Sequence, residues 1–222
     1  MPNPKSYVQT DHIRYFKFIG RVIGKALFEG CLLECYFIRS VYKMIIGQKL
    51  SFKDLEDFDN NLYQGLEWCL TNDVDDLYES FSTQFDYFGR TEVAELIPGG
   101  EEIDVTNENK HHYVERKSFF HLYKSIQKQM NAFLEGFYEI VPKDLISIFT
   151  YQELELLISG MPDFKVEDLR KFTNYSGYTA NSPQVQWFWE VMESLNREEK
   201  GNFLQFVTGS SKVPVEGFSM LQ

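Results

Sequence analysis

The sequence predicts an α+β chain that is mainly α. Apolar residues recur at spacings of three and four over several long stretches, the mark of a helix with one buried face. Residues that start and stop helices bracket those stretches. One central region departs from the pattern, mixing acidic residues with aromatics around a Pro-Gly-Gly turn, and reads as a small α+β insertion between helical parts.

Between Asp11 and Gly30 the apolar positions Phe16, Ile19, Ile23, Ala26 and Leu27 predict one buried helix face, with Asp11 as N-cap and Gly30 as stop. Arg14, Lys17, Arg21 and Lys25 form a basic stripe on the same helix, read as a solvated face rather than a site for an acidic partner. Gly20 and Gly24 are expected to let a neighbouring helix come close. Residues 31–46 continue as an apolar helical stretch, and Ser51 with Asp54 forms a capping box for a further short helix. From Asp57 to Thr106 helical periodicity survives only over Asn61–Leu70. Within that region TEVAELIPGGEEIDVT is expected to form two strands joined at Pro98-Gly99-Gly100.

Helical periodicity returns over Tyr113–Glu139. Thr150 and Glu153 make a second capping box, on a helix that Gly160 ends. The run from Asn174 to Pro183 is rich in turn formers and reads as a linker. Ser182 and Pro183 then open QVQWFWEVMESL as N-cap and first helical residue, and Asn196 with Glu199 caps a last helix that stops near Gly209.

Composition narrows the function classes. A net charge of -11 repels a phosphate backbone, so no nucleic acid is expected as a partner. No stretch approaches eighteen uninterrupted apolar residues, and MPNPKSYVQTDH lacks the features of a signal peptide. No membrane association is expected, and the localisation expected is cytoplasmic and/or nuclear. Three cysteines, Cys31, Cys35 and Cys69, are read as reduced thiols, the first two as buried ones a helical turn apart. A structural metal needs four ligands, and His12, His111, His112 and His121 are not spaced to complete a set, so neither metal nor cofactor is expected. Phosphate-binding glycine loops and hydrolase or metalloprotease motifs are absent from the sequence. Residue chemistry alone therefore yields no complete active site.

Eight blocks, YFKFIGRVIGKALFEG, LLECYFIRSVYKMIIG, LYQGLEWCLTND, VTNENK, AFLEGFYEIVPKDLISIF, QELELLISG, QWFWEVMESL and LQFVTGSSKVPVEGF, resemble in order the successive blocks of a HECT-type ubiquitin ligase domain. The resemblance runs from about Asn3 to Phe218, and LLECYF, YQGL and FLEGFYEIVPKDLISIF are most similar to the very large ligases that carry HECT, UBA and WWE domains. It implies an N-terminal lobe over 1–176, lacking its first part, with a small subdomain at about 59–114 that binds the conjugating enzyme. It further implies a hinge over 174–181 and the beginning of a C-terminal lobe over 182–222. The family's H-T-C-F motif, whose Cys accepts ubiquitin as a thioester, would lie beyond Gln222. The chain alone is therefore expected to be inactive, and the exposed faces of its last two helices, with Trp187, Phe188 and Phe206, to promote self-association.

The partners implied are a ubiquitin-conjugating enzyme, ubiquitin, and protein substrates held by regions outside this chain. Leu62, Leu66, Cys69, Leu70, Leu77 and Tyr113 correspond to the conjugating-enzyme groove, although the spacing of the first four also fits the buried face of a short helix. Gln9, Tyr15 and Phe88 correspond to a second, non-covalent ubiquitin site. Tyr175, Ser176, Gly177 and Tyr178 correspond to the hinge, where Gly177 permits a backbone swing. The alternative function is a non-catalytic module that binds a conjugating enzyme or ubiquitin.

Overall fold

In the computed structural model, which describes residues 1–87, 90–161, 164–214 and 217–220, the chain is mainly helical with a two-stranded sheet. The helices are α1 (His12–Phe28), α2 (Arg39–Ile45), α3 (Asn60–Thr71), α4 (Lys110–Leu122), α5 (Gln127–Tyr138), α6 (Lys143–Ile146), α7 (Tyr151–Ser159), α8 (Val166–Lys171), α9 (Pro183–Ser194) and α10 (Arg197–Thr208). Strands β1 (Ser82–Tyr87) and β2 (Arg90–Glu95) lie antiparallel. Two compact units result, one of Met1–Val22 and Phe37–Ile148, the other of Ile23–Tyr36 and Phe149–Gln222. Among the described residues no helix is long and apolar enough to cross a membrane.

In the first unit α1 crosses α5 at two glycines. A Cβ on Gly20 would lie 2.0 Å from the Phe133 carbonyl oxygen, and one on Gly136 2.0 Å from that of Lys17. The helices therefore touch backbone to backbone, as expected for Gly20; the reciprocal glycine, Gly136, was not foreseen. The crossing rotates the buried face of α1 toward Gly20, so Ile19 is exposed rather than buried as expected. Ile19 joins Tyr15, Phe18 and Val22 on an exposed apolar face at spacings of three, one and three. Arg14, Arg21 and Lys25 of the basic stripe are exposed, as expected of a solvated face, and its cations also pair with carboxylates. Lys17 bridges Glu135 and Glu139, Arg21 Nε donates to Glu139 at 2.5 Å, Lys25 pairs with Glu29, and Arg14 lies 3.6 Å from Asp11. Arg21 and then Lys17 hold the Glu139 carboxyl down to about 2.

The helical stretch over Tyr113–Glu139 is two helices, separated by a 3-10 turn at Lys124–Ile126 that follows Tyr123 with φ -137 and ψ -51. The break separates two packing duties. Tyr113, Val114 and Leu122 face one apolar cluster, while Gly136 on α5 meets α1 and Phe133 packs edge to face on Phe37. Ser51 and Asp54 form the expected capping box on a 3-10 turn at Phe52–Leu55. Asp54, 1% exposed, also receives Lys43 Nζ at 2.7 Å and faces Arg39 Nε at 3.2 Å.

The hairpin differs from expectation. TEVAE is β2, but its partner is the upstream segment STQFDY, paired Ser82 with Glu95 through Tyr87 with Arg90. After Pro98 the chain makes a left-handed step at Gly99 and a 3-10 turn at Gly100–Glu102. It then returns beside residues 79–81, with Phe81 N donating to the Ile103 carbonyl and Val105 N to that of Glu79. Gly100 packs so closely on the Phe81 carbonyl that a Cβ would fall at 2.3 Å, which holds the return in that register.

Residues 31–38 form no helix, so only Arg39–Ile45 of the stretch expected over 31–46 is helical; residues 31–36 belong to the second unit. Leu33 N donates to the Ile158 carbonyl and Ser159 Oγ to that of Cys35, so this backbone bonds to the end of α7 instead of to itself. Cys31 is consequently exposed and Cys35 half-buried, not two buried thiols on one helical turn. The capping boxes at Thr150 and Asn196 and the stops at Gly160 and Gly209 are formed as expected. Helix α8 was not anticipated. Its Val166 shares a cluster with Val185, Trp189 and Met192 of α9, and Trp187, Phe188 and Phe206 are exposed.

Candidate functional site

Helix α3 begins where the Asp59 carboxylate accepts from Leu62 N at 3.0 Å. Its inward residue, Leu66, packs with Leu55, Val74, Phe81, Val105, Tyr113, Val114 and Leu122 in the core of the small subdomain. Leu66 is 3% exposed and Tyr113 2%, so these two residues serve as core. Leu62, Cys69 and Leu70 rim the cluster and are half-buried. Leu77, 41% exposed, lies outside it on the loop after α3. Of the six residues expected in the groove, four thus keep surface to offer.

Polar groups at the edge of the cluster form a chain. The Tyr113 hydroxyl donates to Glu79 Oε2 at 3.0 Å and accepts from Lys117 Nζ, which lies 3.6 Å from the same carboxylate. Burial and then the Glu79 charge push the Tyr113 hydroxyl far up, so it stays a donor. Burial likewise pushes the Cys69 thiol up, opposed by Lys117 and Lys110, and burial raises Cys35. Neither half-buried thiol is poised as a thiolate nucleophile.

The loop after α3 is fixed from VTNENK. Asn107 Nδ2 donates to Asp73 Oδ1 at 2.6 Å, its backbone N–H donates to Asp75 Oδ1 at 2.9 Å, and its Oδ1 accepts from Val74 N. Lys110 Nζ donates to the Asn72 carbonyl and to Asn107 Oδ1. VTNENK stands out in the sequence as a block, but the knot its Asn107 ties could not be read there. Next to Leu77 stands Tyr78, with φ 51 and 91% exposed. Periodicity gives no signal for it.

Of the expected non-covalent ubiquitin site, Gln9 and Tyr15 are exposed and Phe88 lies outside the described residues. Tyr15 is therefore not a core aromatic; it begins the exposed apolar face of α1. In the linker Gly177 has φ 77 with nothing near its missing Cβ, and Ser176 and Tyr178 are exposed. Tyr175 is held, its hydroxyl accepting from Trp189 Nε1 at 2.9 Å. The compact units do not divide at this linker, since 174–181 falls within the second. Among the described residues no three of His, Cys, Asp and Glu gather into a metal-binding group. A groove of about 760 Å³ opens beside α4, walled by Lys49, Leu50, Phe52, His111, Glu115 and Phe119, and of the expected site residues it includes only Leu70.

Comparison with known proteins places this subdomain in context. The family model described as HECT-domain (ubiquitin-transferase) matches residues 1–222. The chain is 52% identical over 222 residues to an E3 ubiquitin-protein ligase TOM1-like of Neurospora crassa, with 100% of the chain and 5% of that protein covered. It is 50% identical over 229 residues to the E3 ubiquitin-protein ligase UPL1 of Arabidopsis thaliana, covering 100% of the chain and 6% of that protein. With the E3 ubiquitin-protein ligase HUWE1 of Mus musculus it shares 50% identity over 222 residues, 99% of the chain and 5% of that protein. These relatives are thus far longer than the residues they share with this chain. A match along the whole chain, joined to a mainly helical fold with a small two-stranded insertion, establishes that the chain belongs to the HECT family, with similarity to its very large ligases.

Proposed function

We propose that this chain is the part of a HECT ubiquitin ligase that recruits a ubiquitin-loaded conjugating enzyme, through the small subdomain of α3, α4 and the β1–β2 hairpin. The family match over residues 1–222 carries the reading, and the exposure of Leu77 beside a rigidly tied loop supports a docking surface there. The lobes at 1–176 and 182–222 and the hinge at 174–181 belong to the same proposal, as does a cytoplasmic or nuclear location. Gly177, free of steric constraint at its missing Cβ, is the pivot.

In the complete ligase, a Cys thiolate attacks the carbonyl carbon of the ubiquitin thioester on the conjugating enzyme. A new C–S bond forms, the tetrahedral adduct collapses, and the conjugating enzyme's thiolate leaves. One thioester replaces another, so the reaction is close to balanced and the protein's main task is to bring two thiols together. A substrate lysine amine then attacks the second thioester and releases the Cys. H-T-C-F does not occur within residues 1–222, and neither Cys35 nor Cys69 has a lowered pKa. The accepting Cys is therefore proposed to be supplied from outside these residues.

The test is a calorimetric titration of the chain with a panel of purified ubiquitin-conjugating enzymes, repeated with Leu77→Glu. Binding that the variant loses while keeping its circular dichroism supports the docking surface. A folded chain that binds none of the panel refutes it. Leu66→Asp is unsuitable as a probe of docking, because an unpaired carboxylate inside the cluster is expected to unfold the subdomain. The face of Tyr15, Phe18, Ile19 and Val22 favours the non-covalent ubiquitin site as a second proposal, since an exposed apolar stripe of this kind suits a protein contact. Loss of ubiquitin-induced NMR shifts in Tyr15→Ala tests it; unchanged shifts would refute it.

A further inference from the structure

Tyr78 combines two unusual properties. Among the described residues it is the one non-glycine with positive φ, a region that L side chains enter only against steric resistance. Its ring is 91% exposed, so burial does not offset that cost. Backbone strain retained without local benefit points to function.

The chain on both sides explains how the strain is held. Before Tyr78, residues 73–75 are tied to Asn107, and Leu77 N donates to the Val74 carbonyl. After it, the Glu79 carbonyl accepts from Val105 N, Ser80 bridges Asp104, and the Glu79 carboxylate accepts from Tyr113. Both flanks are thus anchored to the single stretch 103–113, and the left-handed step between the anchors turns the ring outward.

The stretch that carries Tyr78 is acidic. Asp73, Asp75, Asp76 and Glu79 are all exposed within seven residues. The cations bonded to this region are Lys110, on Asn72 and Asn107, and Lys117, on Tyr113 and Glu79. Asp73 and Asp75 accept from Asn107 and Glu79 from Tyr113, yet all three stay exposed with Asp76, so an exposed aromatic side chain stands in an acidic stretch, a combination that suits a cation.

We infer that Tyr78 is a specificity-determining contact of the docking surface, its ring receiving a lysine or arginine side chain of the conjugating enzyme. This rests on the recruitment reading above. Conjugating enzymes with a cation at the matching position are preferred over those without, and the preference weakens with salt as the carboxylates are screened.

Calorimetry of the full chain against the same panel, with Tyr78→Gly, Tyr78→Phe and Tyr78→Leu, tests it. Tyr78→Gly removes the ring and also the strain, so its melting temperature should stay level or rise by a few degrees, while affinity for the preferred enzyme falls about tenfold or more. Tyr78→Phe should bind within about twofold of the parent, and Tyr78→Leu should fall with Tyr78→Gly because a cation gains little from an aliphatic surface. Parent-like binding by Tyr78→Gly, where Leu77→Glu has lost binding, overturns the inference and leaves recruitment standing. Equal binding by the Leu and Phe variants overturns the cation contact, and a lower melting temperature in Tyr78→Gly overturns the strain argument. A folded parent that binds no enzyme of the panel overturns recruitment and the inference together.

Discussion

Gly20→Ala and Gly65→Ala are the same chemical change in two helices of one unit, and the structure gives them opposite signs. A methyl at Gly20 would sit 2.0 Å from the Phe133 carbonyl oxygen and 2.9 Å from Phe137 N. A carbon and an oxygen in contact need about 3.3 Å, so α1 and α5 must separate by roughly an ångström. Overpacking of this kind costs about 1–3 kcal/mol and sometimes more, and the obstacle is backbone, which cannot rotate aside as a side chain can. Separation also stretches the pairs of Lys17 and Arg21 with Glu139, which span the same crossing. Alanine returns about 1 kcal/mol of helix propensity, leaving a net loss of about 1 kcal/mol or more. At Gly65, in the middle of α3, no atom lies within 4 Å of the added methyl, so only the propensity acts and the protein gains up to about 1 kcal/mol. Urea denaturation followed by circular dichroism reads both. Gly20→Ala with Gly136→Ala should cost less than the sum of the two, because one separation of the helices accommodates both methyls. A Gly20→Ala protein as stable as the parent would mean that the two backbones do not touch.

Acid should weaken the same crossing. The Glu139 carboxyl ordinarily titrates near 4.5 and is held at about 2 when folded, so its stabilising contribution is complete above pH 4.5 and is lost as pH falls toward 2. Glu139→Gln should flatten the drop in melting temperature between pH 5 and pH 3, and an unchanged drop would assign acid sensitivity elsewhere. Asp54→Ala leaves Lys43 and Arg39 facing a vacated, buried position and should cost about 3–5 kcal/mol by urea denaturation; a loss under 1 kcal/mol would show that the cations find water. Incubated with a loaded conjugating enzyme, residues 1–222 should form no reducible ubiquitin adduct; one on Cys31, Cys35 or Cys69 would refute the proposed outside origin of the accepting thiol.

Helix ends were the most legible part of the sequence, because a cap is a local event. Thr150 with Glu153, Asn196 with Glu199, and Ser51 with Asp54 each satisfy backbone groups within four residues, and all three boxes form where their spacing put them. Partners distant in sequence were not legible. Residues 31–36 carry a helical pattern, but Leu33 and Cys35 bond to Ile158 and Ser159 at the end of α7, over a hundred residues on. Asn107 stands in the sequence only as part of the block VTNENK, yet it holds a loop about thirty residues upstream. The strand TEVAE was recognised and given the wrong neighbour, since alternation marks a strand but not what pairs with it.

The candidate site shows the same division between what repeats and what does not. Apolar spacing finds residues that face inward, and on α3 it found Leu66, which with Tyr113 turned out to be core. A docking surface needs the opposite property, apolar area that stays exposed, and no period marks it. Leu77 could be singled out only by family resemblance. Tyr78 was not singled out at all, because its left-handed backbone depends on anchors at 73–75 and 79–81 that meet only in the folded chain. If recruitment depends on those two neighbours, the anchoring residue matters as much as the contacts. Asn107 touches no partner in this reading, yet it fixes where both side chains point, so the geometry of docking is carried by a residue that docks with nothing.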